Sequence, residues 1–123
     1  MRQFFILAVL SAILLSAGEC KKKNSSETYK GRLEVAGICM NYTIRVIEGN
    51  PGADKIVARW TDEVTKKEYS HVFRLGNPCQ FPSTIKQGDE FYFTIDTTKQ
   101  KDCPVCLAYY PTPEKALSIK VAE

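Results

Sequence analysis

At 123 residues with five cysteines, the chain has room for one small domain whose apolar core is marginal on its own. Its formal charge of +3 lies outside that domain: from Glu27 to Glu123 thirteen Lys and Arg face thirteen Asp and Glu, and the surplus sits in Lys21, Lys22 and Lys23. A nucleic-acid binder needs a basic face on its folded part, so no nucleic-acid partner is expected.

Residues 1–19 read as an export signal. Arg2 supplies the positive start, Phe4 to Leu15 form an apolar run interrupted only by Ser11, and the small residues Ser16, Ala17 and Gly18 follow. Such a run is too short to span a bilayer comfortably and ends as a signal peptidase requires. No later segment is apolar enough to span a membrane. Cleavage after Gly18 leaves Glu19 first; the other exit leaves Cys20 first, as a lipid-modified residue. The stretch Leu14-Leu15-Ser16-Ala17-Gly18-Glu19-Cys20 is close to a bacterial lipoprotein box, with Glu19 where a small residue is usual. Together with Cys20-Lys21-Lys22-Lys23-Asn24-Ser25-Ser26 it resembles the start of exported lipoproteins of the Bacteroidota. That resemblance covers the first quarter of the chain. It implies lipidation of Cys20, attachment to a membrane through that anchor, and a place in the cell envelope at the periplasm or outer membrane. Without lipidation the product is secreted.

Residues 20–28 are polar and aperiodic, a tether, and 29–123 read as a single β domain. Leu33 and Val35 alternate with Arg32 and Glu34 in a first strand. Met40, Tyr42, Ile44 and Val46 alternate with Asn41, Thr43 and Arg45 in a second. Glu48-Gly49-Asn50-Pro51-Gly52 is turn chemistry. Lys55 to Thr61, around Trp60, gives a third strand. Tyr69 to Leu75 gives a fourth, with Tyr69, His71, Phe73 and Leu75 on one side. Asn77 to Pro82 is a loop pinned by two prolines, and Phe91, Phe93 and Ile95 mark a fifth strand. Cys106 to Tyr110 reads as a short sixth strand, Thr112 to Lys115 as one helical turn, and Leu117, Ile119 and Val121 as a seventh strand. This is an all-β pattern of six to seven short strands. A small Greek-key barrel of OB-like arrangement is preferred to a β-sandwich.

Outside the tether four cysteines remain: Cys39, Cys79, Cys103 and Cys106. Lipidation of Cys20 would remove the odd one, and four cysteines allow three connectivities. Exported domains of this size commonly add disulfides to a small core. Cys39 and Cys79 are each expected to reach one member of the Cys103/Cys106 pair, with both crossings open. Two sharper readings compete. A redox dithiol needs its first cysteine at a helix N-terminus, and Cys103-Pro104-Val105-Cys106 leads into Leu107-Ala108-Tyr109-Tyr110, which looks extended. A four-cysteine zinc site usually has two close pairs, and this chain has one. No metal and no cofactor is assigned.

No catalytic set is assigned either. His71 is the only histidine, and Asp89 and Glu90 point to opposite faces of a strand. Trp60, Tyr92, Tyr109 and Tyr110 are the aromatics expected to reach the surface, as a platform for an unidentified protein or glycan. The expected function is a non-enzymatic, disulfide-stabilised envelope module acting in binding or assembly. The alternatives are a protease inhibitor or other binder presenting the loop Asn77 to Pro82, and a redox protein using Cys103 and Cys106.

Overall fold

The computed structural model describes residues 27–122; the signal segment, Cys20 and the lysine-rich tether lie outside them. β1 (Tyr29–Gly37) and β2 (Asn41–Glu48) form a hairpin closed by the turn Ile38–Met40. β3 (Val57–Thr61) and β4 (Glu68–Leu75) form a second hairpin. β5 (Glu90–Ile95) returns to pair with β1, and β6 (Ala116–Leu117) and β7 (Ile119–Val121) are one course of chain interrupted at Ser118.

The pairings run round a ring. β1 pairs with β2, β2 with β4, β4 with β6, β7 with β5, and β5 with β1. Only β4 and β6 are parallel. A sandwich of two sheets makes no such circuit, so the domain is a small barrel with an OB-like strand order. β3 extends it along the first half of β4.

Inward side chains from every wall fill the barrel. Leu33, Ile44, Phe73 and Phe93 are fully buried, with Leu75, Phe91 and Ile119 beside them. Ring centroids 5.4 to 6.0 Å apart link Tyr29, Phe93, Phe73, Phe91, Phe81 and Tyr42. Gly31 makes room for this: an added Cβ would stand 2.9 Å from Phe93 Cε1.

Strict alternation fails in four places. The β1–β2 register shifts between Leu33 and Val35, so Leu33 faces Ile44 while Val35 faces Thr43, on the outer side of β2. Thr43 is nevertheless buried, as is Val72, the outward neighbour of Phe73. Met40 lies in the turn, not in β2. His71 has φ 58 and is exposed, so it does not share the inward face with Phe73 and Leu75. The expected strand over Cys106 to Tyr110 pairs with nothing, and no helical turn forms over Thr112 to Lys115, where Pro111 and Pro113 are buried.

The connection from β4 to β5 turns inward. Asn77 is buried; its Nδ2 donates to Ile119 O at 2.8 Å and its Oδ1 accepts from Ile119 N at 2.9 Å. One side chain thus does for β7 what a neighbouring strand would do. Phe81 then packs edge-on against Phe91 and Tyr42. The segment Asn77 to Pro82 thus anchors the barrel wall through Asn77 and Phe81, while Cys79 and Gln80 between them are exposed. Asn77→Ala leaves two buried backbone groups of Ile119 unpaired. It is expected to lower the unfolding free energy by about 1–3 kcal/mol per orphaned group, read as a lower urea midpoint.

Candidate functional site

The site is built on the β1–β2 turn. Cys39 (φ 57, ψ 32) and Met40 (φ 61) both occupy the left-handed region, positions that hairpin turns ordinarily fill with Asn-Gly. For residues with a Cβ this costs about 1–2 kcal/mol each. The turn is held against that cost from several directions. Asn41 N–H donates to Ile38 O, and Asn41 Nδ2 donates to Ile38 O at 2.8 Å and to Ala108 O at 3.1 Å. Gly37 lets the ring of Tyr110 lie on the backbone; an added Cβ would stand 3.0 Å from Tyr110 Cγ. Cys39 is bonded to Cys106, with Cα atoms 5.1 Å apart.

The second component is the connection from Ile95 to Ala116, here called the strap. Connections longer than about 12–15 residues without secondary structure are uncommon in compact domains and usually functional. From Lys99 to Pro113 the strap has no helix, strand, turn or bend, and no residue with positive φ. An extended Cys103-Pro104-Val105-Cys106 holds its two cysteines roughly 10 Å apart, beyond the span of one disulfide. Each therefore reaches a different partner: Cys106 takes Cys39 and Cys103 takes Cys79, with Cα atoms 5.7 Å apart in the second bridge. This is the crossing that spacing left open. With separations of 67 and 24 residues, chain entropy assigns the bridges about 4 and about 3.5 kcal/mol. All four sulfurs are engaged in these two bridges, and neither bridge joins Cys103 to Cys106.

Between these ties the strap presents side chains outward. Among the described residues seven large apolar or aromatic side chains are markedly exposed, and six of them lie at this edge: Ile38, Met40, Val64, Val105, Leu107 and Tyr109. Tyr92 is the seventh. Ile38 and Met40 flank Cys39, and Val105 and Leu107 flank Cys106. Val64 follows Glu63, whose Oε1 accepts from Tyr109 Oη at 3.4 Å. Leu107 is 97 % exposed and Tyr109 76 %. The odd-numbered residues 105, 107 and 109 project, while the even-numbered ones make the ties: Cys106 to Cys39, Ala108 O to Asn41, Tyr110 to Asp62.

The four expected surface aromatics do not make one platform. Tyr109 is at this edge, and Tyr110 is turned under it. Trp60 is half-buried and stacks on Tyr69 with centroids 5.9 Å apart; Tyr69 and Tyr110 line one hollow with Asp62. Tyr92 stands apart on β5, beneath Lys30 Nζ at 5.5 Å. Tyr92 borders a groove of ≈ 800 Å³ between β5, β7 and the Asn77–Ile85 segment. The periodicity missed Ile38, Met40, Val64 and Leu107. The available signal was adjacency: each cysteine of one bridge is flanked by large apolar residues, which no buried position required.

Charge is organised in two places, one on the outer face of β1 and one beside the strap. Along the outer face of β1, Glu90 pairs with Arg32 at 2.8 Å and Lys30 at 3.3 Å. The hydrogen bond from Arg32, then that from Lys30, holds the Glu90 carboxyl below its usual range. Beside the strap, burial opposes the charge of Asp62. Hydrogen bonds from Tyr110 Oη (2.7 Å), Val64 N (2.8 Å) and Thr65 N outweigh it, and the carboxyl sits below its ordinary value. The same bond raises the Tyr110 phenol. Comparison with protein-family models, curated proteins and solved structures finds no match.

A carboxyl held below its ordinary value adds stability that is complete above the unfolded value, about pH 4, and is lost as pH falls through the lower folded value. Asp62→Ala is expected to cost about 1–3 kcal/mol at neutral pH. It should also remove part of the acid limb of a urea-midpoint titration below about pH 4.

Proposed function

We propose that this domain is a non-enzymatic binding module of the cell envelope, carried on a lipid anchor at Cys20, that docks a protein partner through the strap–turn edge. One observation carries the reading: of the seven exposed large apolar or aromatic side chains, Ile38 and Met40 flank Cys39, Val105 and Leu107 flank Cys106, and Tyr109 follows on the same strap. Contiguous exposed apolar surface is rare on monomeric domains and commonly marks an interaction site. Rigid support lowers the entropy lost on binding, and this edge is tied by two disulfides and by Asn41. The two disulfides are compatible with an extracytoplasmic protein, and no helix among the described residues is long and apolar enough to cross a membrane.

The edge also favours a protein over a glycan. Its projecting groups are aliphatic or thioether apart from Tyr109, whereas sugars are gripped by aromatic faces flanked by polar groups. The position of the edge is consistent with a tethered module: β1 begins at Tyr29, next to the tether, and the turn closes its far end after nine residues. A strand of that length spans about 30 Å.

The test is photo-crosslinking in the producing cell. A photoreactive residue placed at Leu107 or Met40 is expected to give one adduct of defined mass, and the same residue at exposed Asp54 none. Equal labelling from all three positions, or none from the first two, counts against the edge. Intact mass of the membrane fraction should show diacyl or triacyl modification of Cys20; a mature chain starting at Glu19 removes the anchor.

A further inference from the structure

Cys103 to Tyr110 has the form of a bound peptide rather than of an ordinary loop. It has no turn, no bend and no partner strand on either edge, and from Val105 to Tyr110 projecting residues alternate with tied ones: Cys106 by its disulfide, Ala108 by its backbone carbonyl and Tyr110 by its hydroxyl. Extended peptides are the form that protein clefts bind by strand addition. The cleft such a segment fits has one deep apolar pocket for the fully exposed Leu107 and shallower contacts for Val105 and Tyr109. An enzyme that hydrolyses peptides by a serine nucleophile has this layout, with the pocket before the scissile bond setting the preference.

We propose that the strap is an inhibitory loop for a serine protease with an apolar specificity pocket, that Leu107 fills the pocket, and that Leu107–Ala108 is the bond placed at the nucleophile. This rests on the strap–turn edge being a protein-binding edge, and names the class of partner.

The geometry also supplies the reason such a loop inhibits instead of being consumed. The enzyme's serine oxygen attacks the Leu107 carbonyl carbon, and its proton passes to the enzyme's histidine. The Leu107–Ala108 C–N bond then breaks, the histidine gives that proton to the Ala108 nitrogen, and Leu107 is left as an ester on the serine. In an ordinary substrate the new amine departs and water enters. Here both ends stay on one support. Cys106, next to Leu107, is bonded to Cys39. Ala108 O is held by Asn41 Nδ2 at 3.1 Å, two residues from Cys39. Tyr110 is held by Asp62 at 2.7 Å, and Pro111 is buried. The amine therefore remains beside the ester at a high effective concentration. Its return reforms the peptide bond and frees the serine, with no net change of atoms. The turn that carries Cys39 and Asn41 is the strained, left-handed one, so its conformation places both ties behind a single peptide bond.

The test uses the exported chain, purified with its disulfides intact, against chymotrypsin and trypsin with chromogenic substrates. Wild type is expected to inhibit chymotrypsin near stoichiometric concentration and to inhibit trypsin at least 100-fold more weakly. Leu107→Lys should exchange the two preferences, and Leu107→Asp should abolish both, each with an unchanged thermal midpoint. Cys39→Ala combined with Cys106→Ala should turn the inhibitor into a substrate, cut at 107–108 at least tenfold faster than wild type. No inhibition of chymotrypsin at tenfold molar excess overturns the proposal. So does a Leu107→Lys variant that leaves the preference unmoved, or a wild-type chain cut as fast as the double variant. Photo-crosslinked adducts at Leu107 and Met40 that persist without inhibition would retire the protease while leaving the binding edge in place.

Discussion

The Cys39–Cys106 bond is the constraint on which the rest of the edge depends. It joins two connections that are far apart in sequence, the tight turn between β1 and β2 and the long strap between β5 and β6. The turn places two residues with side chains in the left-handed region, and the strap crosses the surface without strand partners. Closing a loop of 67 residues restricts the unfolded chain by about 4 kcal/mol, the same order as the cost of the two left-handed residues. The bond thus permits a local geometry that propensity disfavours. The Cys79–Cys103 bond keeps the strap taut from the other side, fastening it to the inward-turned connection that Asn77 anchors.

Covering the barrel has a visible price. The outward row formed by Val35, Thr43 and Val72 is buried, although alternation alone would leave it in water. Thr43 Oγ1 and Arg45 Nε are consequently buried without hydrogen-bond partners, a penalty of about 1–3 kcal/mol for such a group. Tyr110 lies on this side, against Gly37 and hydrogen-bonded to Asp62 of the β3–β4 turn. The strap and the second hairpin therefore act as an outer layer. The residues that cement it are Tyr110, one of the even-numbered ties, its partner Asp62, and the buried Pro111 that follows, and what remains for contact is the projecting set.

The sequence made the barrel legible and the edge illegible, for one physical reason. Period-two alternation reports burial against a single core, and where Leu33, Ile44, Phe73, Phe91 and Phe93 face that core the strands are found where the pattern places them. The pattern does not report pairing. Leu107 and Tyr109 alternate with Ala108 and Tyr110 as a strand would, yet the segment has no neighbour in the sheet. Nor does the pattern register a backbone reversal of sign, so His71 is misplaced by its own positive φ and Met40 is assigned to β2 when it closes the turn. The four cysteines were readable as long-range clamps, but choosing the crossing required knowing that Cys103 to Cys106 is extended. The Trp60, Tyr92, Tyr109 and Tyr110 platform failed because strand position fixes which face a ring takes, not which strands are neighbours.

Barrels of OB-like order commonly bind ligands on the face of the second and third barrel strands and between the connections from the first to the second and from the fourth to the fifth. In this chain those strands are β2 and β4, and those connections are the Cys39 turn and the strap. A fold carries no function by itself, but the comparison shows what has changed. Where an open mouth would admit an oligonucleotide or a sugar between the two connections, a covalent bond now closes them against each other. The underlying face is dry instead of polar. A closed mouth cannot grip a ligand from two sides; it can only offer its rim. The rim here carries the exposed Ile38, Met40, Val105, Leu107 and Tyr109, it is covalently stiffened by the Cys39–Cys106 bond, and the folded part carries no charge surplus.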